Sequence, residues 1–189
     1  ENPAQPQGRR IELNIAWLPA DEDADLQPDP VFLLAGGPGQ SATASYPAVA
    51  SAFKDVRNQR GVVLVDQRGT GKSNPLQCEG LADADMPADE AAMRAAMRAA
   101  VERCRDELSQ RADLRFYTTT DAVRDLDAVR QAIGADTINL LGISYGTRVA
   151  QQYARAYPQH TRTLVLDSVA PNDIYLGNGN FHKQRFIVM

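Results

Sequence analysis

Four short apolar runs constrain this chain more than any other feature. They occupy residues 31–35, 61–66, 138–141 and 164–166. The runs are short and mostly apolar, with Asn139 the one polar residue inside 138–141, so each reads as a strand buried on both faces, the habit of a parallel sheet. Helical patterns lie between the runs. Residues 89–108 are rich in Ala, Met, Arg and Glu, all good helix formers. Residues 121–133 set Val123, Leu126, Val129 and Ile133 on one face. Thr120 or Asp121 can cap that helix, and Gly134 supplies its stop. A third helix is expected over 144–157, ended by Pro158. Strands alternating with helices imply right-handed βαβ crossovers and an α/β fold, a mostly parallel sheet flanked by helices. Residues 10–18 do alternate, with Ile11, Leu13, Ile15 and Trp17 on one side, and read as a half-buried strand. Residues 1–8 and the acidic, proline-containing stretch 21–30 read as loops.

Composition narrows the function class. With 189 residues the chain is long enough for one domain with a sizeable core. No apolar run approaches the roughly 20 residues of a membrane-spanning helix. The net charge of −4 gives no footprint for nucleic acid. The arginines between Arg94 and Arg115 alternate with Glu102, Asp106, Glu107 and Asp113, as on a solvated helix face. Cys78 and Cys104 form no CxxC or Cys/His cluster, so neither a metal nor an organic cofactor is implied. Spacing leaves open whether the two cysteines are bridged or are two buried thiols. A bridge would stabilise by roughly 3 kcal/mol in the chain-entropy model.

The sharpest chemical signal is Gly142-Ile143-Ser144-Tyr145-Gly146, placed after one expected strand and opening an expected helix. That is the setting of a nucleophile elbow, in which a sharp turn lifts a serine hydroxyl above the ends of the strands. The adjoining helix N-terminus favours developing negative charge. The plain alternative is a strand–turn–helix in which the serine merely caps. A second signal, Gly36-Gly37-Pro38-Gly39, follows the run at 31–35. Acyl transfer needs two N–H donors for the oxyanion, one after the nucleophile and one from an earlier loop. Tyr145 and Gly37 are the candidates. The alternative for the glycine corner is a tight turn with no catalytic use. Gly71-Lys72-Ser73 resembles the end of a P-loop, but Asp66 stands where that motif needs glycine, and Asn74-Pro75 follows where it needs a helix. Asp66 and Arg68 are therefore expected to be structural, pairing with each other or with backbone near the site.

Together, the stretches AGGPGQSA (35–42), DQRGTGKSNPLQC (66–78), YTTTDAVRDLDAVRQAIG (117–134) and GISYGTRVAQQYARAYP (142–158) resemble the α/β-hydrolase fold, specifically the prolyl and tripeptidyl aminopeptidase family of serine peptidases. The resemblance implies Ser144 as nucleophile and Gly37 and Tyr145 as the oxyanion hole, acting on a peptide or a small ester or amide. It implies a disulfide between Cys78 and Cys104, hence a periplasmic or secreted location, with the cytoplasm as alternative. Ala35 stands where many members carry histidine, a departure that secreted tripeptidyl-type members share.

A serine nucleophile needs a base and an orienting acid, in the chain order Ser, Asp or Glu, His. After Ser144 the acids are Asp167 and Asp173 and the histidines His160 and His182. His160 is expected on the surface, before the last strand and far from the elbow. Asp167 and His182 have the right order for a triad. His182 lies in 177–189, a tail with no clear pattern. The expectation is thus a partial hydrolase domain over 1–176 and an atypical tail over 177–189, lacking the C-terminal strands and cap that the family implies. The stretch after Asp173 reads as a truncation or a frameshifted end. Such a chain would expose an apolar edge near 164–166 and self-associate or need a complementing C-terminal segment. The competing reading is a hydrolase-like module that is catalytically incomplete by itself.

Overall fold

Each of the four apolar runs supplies a strand. The computed structural model describes residues 1–5, 7–21, 25–78 and 88–172. Its strands are β1 (Ile15–Leu18), β2 (Val31–Leu34), β3 (Val62–Val65), β4 (Ile138–Ile143) and β5 (Thr161–Asp167). Its α-helices are α1 (Ala42–Val49), α2 (Lys54–Arg57), α3 (Glu90–Arg111), α4 (Thr119–Ala132) and α5 (Tyr145–Ala156). The strands form one sheet in the order β1-β3-β2-β4-β5. Only the β1–β3 pairing is antiparallel.

Both faces of the central strands are covered. Phe32, Leu34, Val63, Val65, Ile138 and Leu140 pack with Leu126 and Val129 of α4 and with Val149 and Tyr153 of α5. On the other face Val31, Leu33, Val62 and Leu64 pack with Ala42 and Tyr46 of α1 and with Phe53. Each such side chain contributes about 1.5–3 kcal/mol when fully buried. Two-sided burial therefore outweighs any local preference of these short runs. A buried polar contact joins the helices of the first face: Asp127 accepts hydrogen bonds from Arg130 Nε (2.7 Å), Gln131 Nε2 (2.7 Å) and Tyr153 Oη (3.0 Å). Burial pushes the Asp127 carboxyl up, but these donors outweigh it and hold it below the ordinary range.

Several details depart from the sequence reading. The expected strand over 10–18 shrinks to β1, and its alternation is inverted. Ile15 and Trp17 lie on the more exposed side, Trp17 at 51%, while Ala16 and Leu18 pack inward. The cause is its place at the sheet edge, paired only with β3. Helices α1 and α2 were not legible, because Pro47 sits inside α1 and interrupts a helical reading. Helix α4 starts earlier than expected. Its cap is Thr118, whose hydroxyl and the Asp121 carboxylate form a reciprocal capping box. Gly134 ends α4 with φ +72°, as the sequence implied. The choice left open for the cysteines is resolved: Cys78 and Cys104 are disulfide-bonded, with Cα atoms 5.6 Å apart. Arg111 of α3 donates to the carbonyls of Pro75 and Gln77, tying the helix to the same loop.

Strand β5 is the outer strand on its side of the sheet. Leu164 is 38% and Val165 is 52% exposed, the apolar edge that the sequence led us to expect.

Candidate active site

Strands β2, β3, β4 and β5 are mutually parallel, so their C-terminal ends gather along one rim of the sheet. Leu34 of β2 lies opposite Gly142 of β4, and Gly142 opposite Leu166 of β5. The glycine corner, the serine turn and Asp167 therefore emerge side by side.

Ser144 occupies the junction between β4 and α5 with φ 54° and ψ −118°. This left-handed conformation is costly for a residue with a Cβ and persists where surrounding structure enforces it. The enforcement is visible. The Ser144 N–H donates to the Asp167 carbonyl at 2.9 Å, and the Ser144 carbonyl accepts from Thr147 N (3.0 Å) and Thr147 Oγ1 (2.6 Å). The Thr147 hydroxyl in turn accepts from Ala170 N at 2.8 Å, which binds the chain after β5 to the turn. The side chain of Ser144 makes no cap hydrogen bond and is exposed, which removes the capping alternative.

The two glycines of this motif are needed for close approach. A Cβ on Gly146 would lie 2.0 Å from the Leu34 carbonyl oxygen, and one on Gly142 would lie 2.5 Å from the Gly146 carbonyl oxygen. Only glycine lets α5 pack this tightly onto β2 and β4. The glycine corner adjoins the turn: a Cβ on Gly36 would meet Ser144 Cβ at 3.2 Å. Gly37 has φ +102° and precedes Pro38 through a cis bond. Tyr145 begins α5, so its N–H has no partner within the helix. Serine hydroxyl, glycine corner and a free helix-terminal N–H thus share one rim, the parts that acyl transfer to a hydroxyl would use.

Asp66 holds the corner in place. It follows β3, is fully buried, and accepts from Ser41 Oγ (2.7 Å), Thr43 N (3.0 Å), Asn14 Nδ2 (3.0 Å) and Lys72 N (3.1 Å). Ser41 is the N-cap of α1, the helix that leaves the glycine corner. Burial pushes the Asp66 carboxyl up, yet the hydrogen bonds led by Thr43, Ser41 and Asn14 outweigh it, and the net direction is downward. The Gly71-Lys72-Ser73 stretch wraps this carboxylate: a Cβ on Gly71, at φ +51°, would lie 2.2 Å from Asp66 Oδ2. Of the two expected arrangements, Asp66 and Arg68 do not pair with each other; both meet backbone near the site, Asp66 through Thr43 N and Lys72 N. Arg68 makes a bidentate pair with Asp125 of α4, both bonds 2.6 Å, and also donates to the carbonyls of Glu1 and Phe116. A planar guanidinium matched to a carboxylate explains why this partner wins. Asn14 and Thr43 were not singled out from the sequence. Ser41 and Thr43 directly after the glycine corner were the available signal.

Of the remaining expected residues, Asp167 stands beside the serine and His160 stands apart from it. His160 is half-buried in the turn before β5, and its Nδ1 meets the Asp136 carbonyl at 2.8 Å. Asp136 precedes β4, so both sit at the end of the sheet opposite the serine. Asp167 ends β5 beside Ser144, exposed, with its carboxylate accepting from Ser168 Oγ at 3.0 Å. Asp173 and His182 lie outside the described residues, as does the segment 177–189. Among the described residues no side chain hydrogen-bonds the Ser144 hydroxyl. Among them, too, no group of three or more His, Cys, Asp and Glu is placed to hold a metal ion, and no helix is long and apolar enough to cross a membrane.

Comparison with known proteins agrees with the fold. The alpha/beta hydrolase fold family model matches residues 29–184. The chain belongs to that family. Among relatives of this alpha/beta hydrolase, serine protease Hip1 of Mycobacterium tuberculosis is 34% identical over 150 residues, covering 72% of this chain and 29% of the relative. Tripeptidyl aminopeptidase of Streptomyces coelicolor is 30% identical over 179 residues, covering 88% of this chain and 33% of the relative. The chain therefore spans about a third of the length of these relatives. Among solved structures, a marine microorganism esterase superposes with a TM-score of 0.55 at 18% identity, covering 94% of this chain and 49% of the other. The proline iminopeptidase of Mycobacterium smegmatis superposes with a TM-score of 0.54 at 22% identity, covering 82% of this chain and 39% of the other. At these identities the superpositions speak to fold alone.

Proposed function

We propose that this chain carries the nucleophile and oxyanion hole of a serine peptidase of the aminopeptidase type. The observation that carries this reading is the left-handed, exposed Ser144 set against the glycine corner. The Ser144 hydroxyl attacks the scissile carbonyl of a peptide, and its proton passes to a general base. The carbonyl oxygen, now negative, rests on the N–H groups of Tyr145 and Gly37. The amine leaves with a proton, and water releases the acyl group from Ser144. The relatives' names, serine protease and tripeptidyl aminopeptidase, support peptide over ester as substrate. Asp167, at the end of β5 beside the serine, is the acid candidate within the described residues, and His182 remains the base candidate by chain order. The disulfide supports an oxidising compartment, periplasmic or secreted.

A second reading is that the site is completed by a complementing chain or segment that brings the base. It is favoured by the Ser144 hydroxyl, unpartnered among the described residues, and the exposed edge of β5. A fluorophosphonate probe followed by mass spectrometry tests both. Labelling at Ser144 that is lost in Ser144→Ala supports the nucleophile. Labelling that occurs only after a separately expressed C-terminal segment is added supports the second reading. Failure under both conditions contradicts both.

A further inference from the structure

A cleft of about 230 Å³ opens beside the serine turn. Its walls include Pro38 and Gly39 of the glycine corner, the Tyr145 ring, Tyr117, Leu76 and Gln67. It therefore adjoins the glycine corner and Tyr145 and is bordered by the start of α4 and the loop after β3. Both aromatic walls are pinned. The Tyr145 hydroxyl is hydrogen-bonded to Thr119 Oγ1 at 2.7 Å, and Asn74 donates to the Tyr117 hydroxyl. Among the described residues that line the cleft the one charged side chain, Arg68, is neutralised by its bidentate partner Asp125. The Gln67 side-chain amide has no partner among the described residues.

We propose that this cleft takes one uncharged side chain of a peptide substrate, with Tyr145, Tyr117 and Leu76 setting its size and Gln67 offering its amide to the adjoining peptide group. Three properties carry this. The volume falls below the roughly 300–1,000 Å³ of pockets that enclose whole drug-sized ligands, so it suits one residue rather than a tripeptide. Apart from Arg68, already paired with Asp125, the described lining is apolar with neutral polar groups, and a charged side chain would lose its hydration there without a free counter-charge. The walls are held by hydrogen bonds, so the shape is set before ligand arrives. The proposal rests on the reading of Ser144 as nucleophile for its meaning in catalysis, but not for its test.

The test is methyl-detected NMR on Ser144→Ala, titrated with N-acetylphenylalaninamide, N-acetyl-lysinamide and the 1-amide of N-acetylglutamate. Saturable shifts of the Leu76, Ala122 and Thr70 methyls with the phenylalanine amide are expected. Binding of the two charged amides is expected to be weaker by at least about tenfold. Leu76→Trp, checked for folding by circular dichroism, is expected to weaken the phenylalanine amide about fivefold or more by narrowing the cleft. The proposal is overturned by no shift at those methyls, by equal affinity for the charged amides, or by unchanged affinity in folded Leu76→Trp. Because Ser144→Ala cannot react, these outcomes are independent of fluorophosphonate labelling, whose failure would count against the nucleophile and not the cleft.

Discussion

Asp66 and Asp167 stand at equivalent places, each at the C-terminal end of a strand in the same parallel sheet, β3 and β5. Their surroundings are opposite. Asp66 is fully buried and its oxygens are filled by hydroxyl, amide and backbone N–H donors from three separate segments. Asp167 is exposed and its carboxylate takes a hydrogen bond from the neighbouring Ser168. A carboxylate with all its lone pairs occupied is an anchor, and it has nothing left to offer an imidazole. A carboxylate with open lone pairs, beside a serine whose turn it helps to hold through its own carbonyl, is available for chemistry. The β3 end is built for position; in the proposed reading, the β5 end is left for a partner.

The tightest packing around this rim should break most severely. Gly146→Ala drives a methyl group into the Leu34 carbonyl, where it would stand 2.0 Å away. Helix α5 and β2 must separate, at a cost of about 3 kcal/mol or more in urea denaturation. A loss below about 1 kcal/mol would mean the elbow is far looser than described.

Next comes the anchor itself. Asp66→Asn replaces an acceptor with a group that also donates, facing two backbone N–H groups and two hydroxyls, and is expected to cost about 3 kcal/mol. The pH dependence sharpens this. The folded Asp66 carboxyl is held below its ordinary 3.8, so its contribution is present above that value and is lost as pH falls through the lower folded value. Wild type should therefore lose stability steeply below about pH 4, and Asp66→Asn should show a shallower acid slope. Equal slopes would remove Asp66 from its anchoring role.

The disulfide belongs to the β3 side of the comparison, since Cys78 ends the loop that wraps Asp66. Replacing both cysteines by serine should cost about 2–3 kcal/mol in thermal or chemical denaturation. Asp167→Asn should cost the least, under about 0.5 kcal/mol, because its carboxylate is exposed. If the β5 end serves chemistry, the same substitution lowers the rate of fluorophosphonate labelling while leaving stability intact. A large stability loss with an unchanged labelling rate would reverse the contrast.

These differences were only partly legible in the sequence. The central strands were, because runs such as residues 62–65 have one favourable fate in water. The serine turn was, because its glycines at 142 and 146 flank Ser144 between a strand and a helix. Strand β1 was misread, since alternation reports which residues share a face but not which face the helices cover. Helix α1 was hidden by Pro47, whose cost is outweighed by burial of Ala42 and Tyr46. The role of Asp66 was half visible. Its own motif marked it as structural, but its donors come from residues 14, 41, 43 and 72, and only the folded sheet brings those together.

The most direct measurement is the crystal structure of the phosphonylated protein. The account predicts phosphorus bonded to Ser144 Oγ and a phosphoryl oxygen about 2.7–3.1 Å from the backbone nitrogens of both Gly37 and Tyr145. An adduct on another residue, or a phosphoryl oxygen turned to solvent away from those two nitrogens, would contradict it.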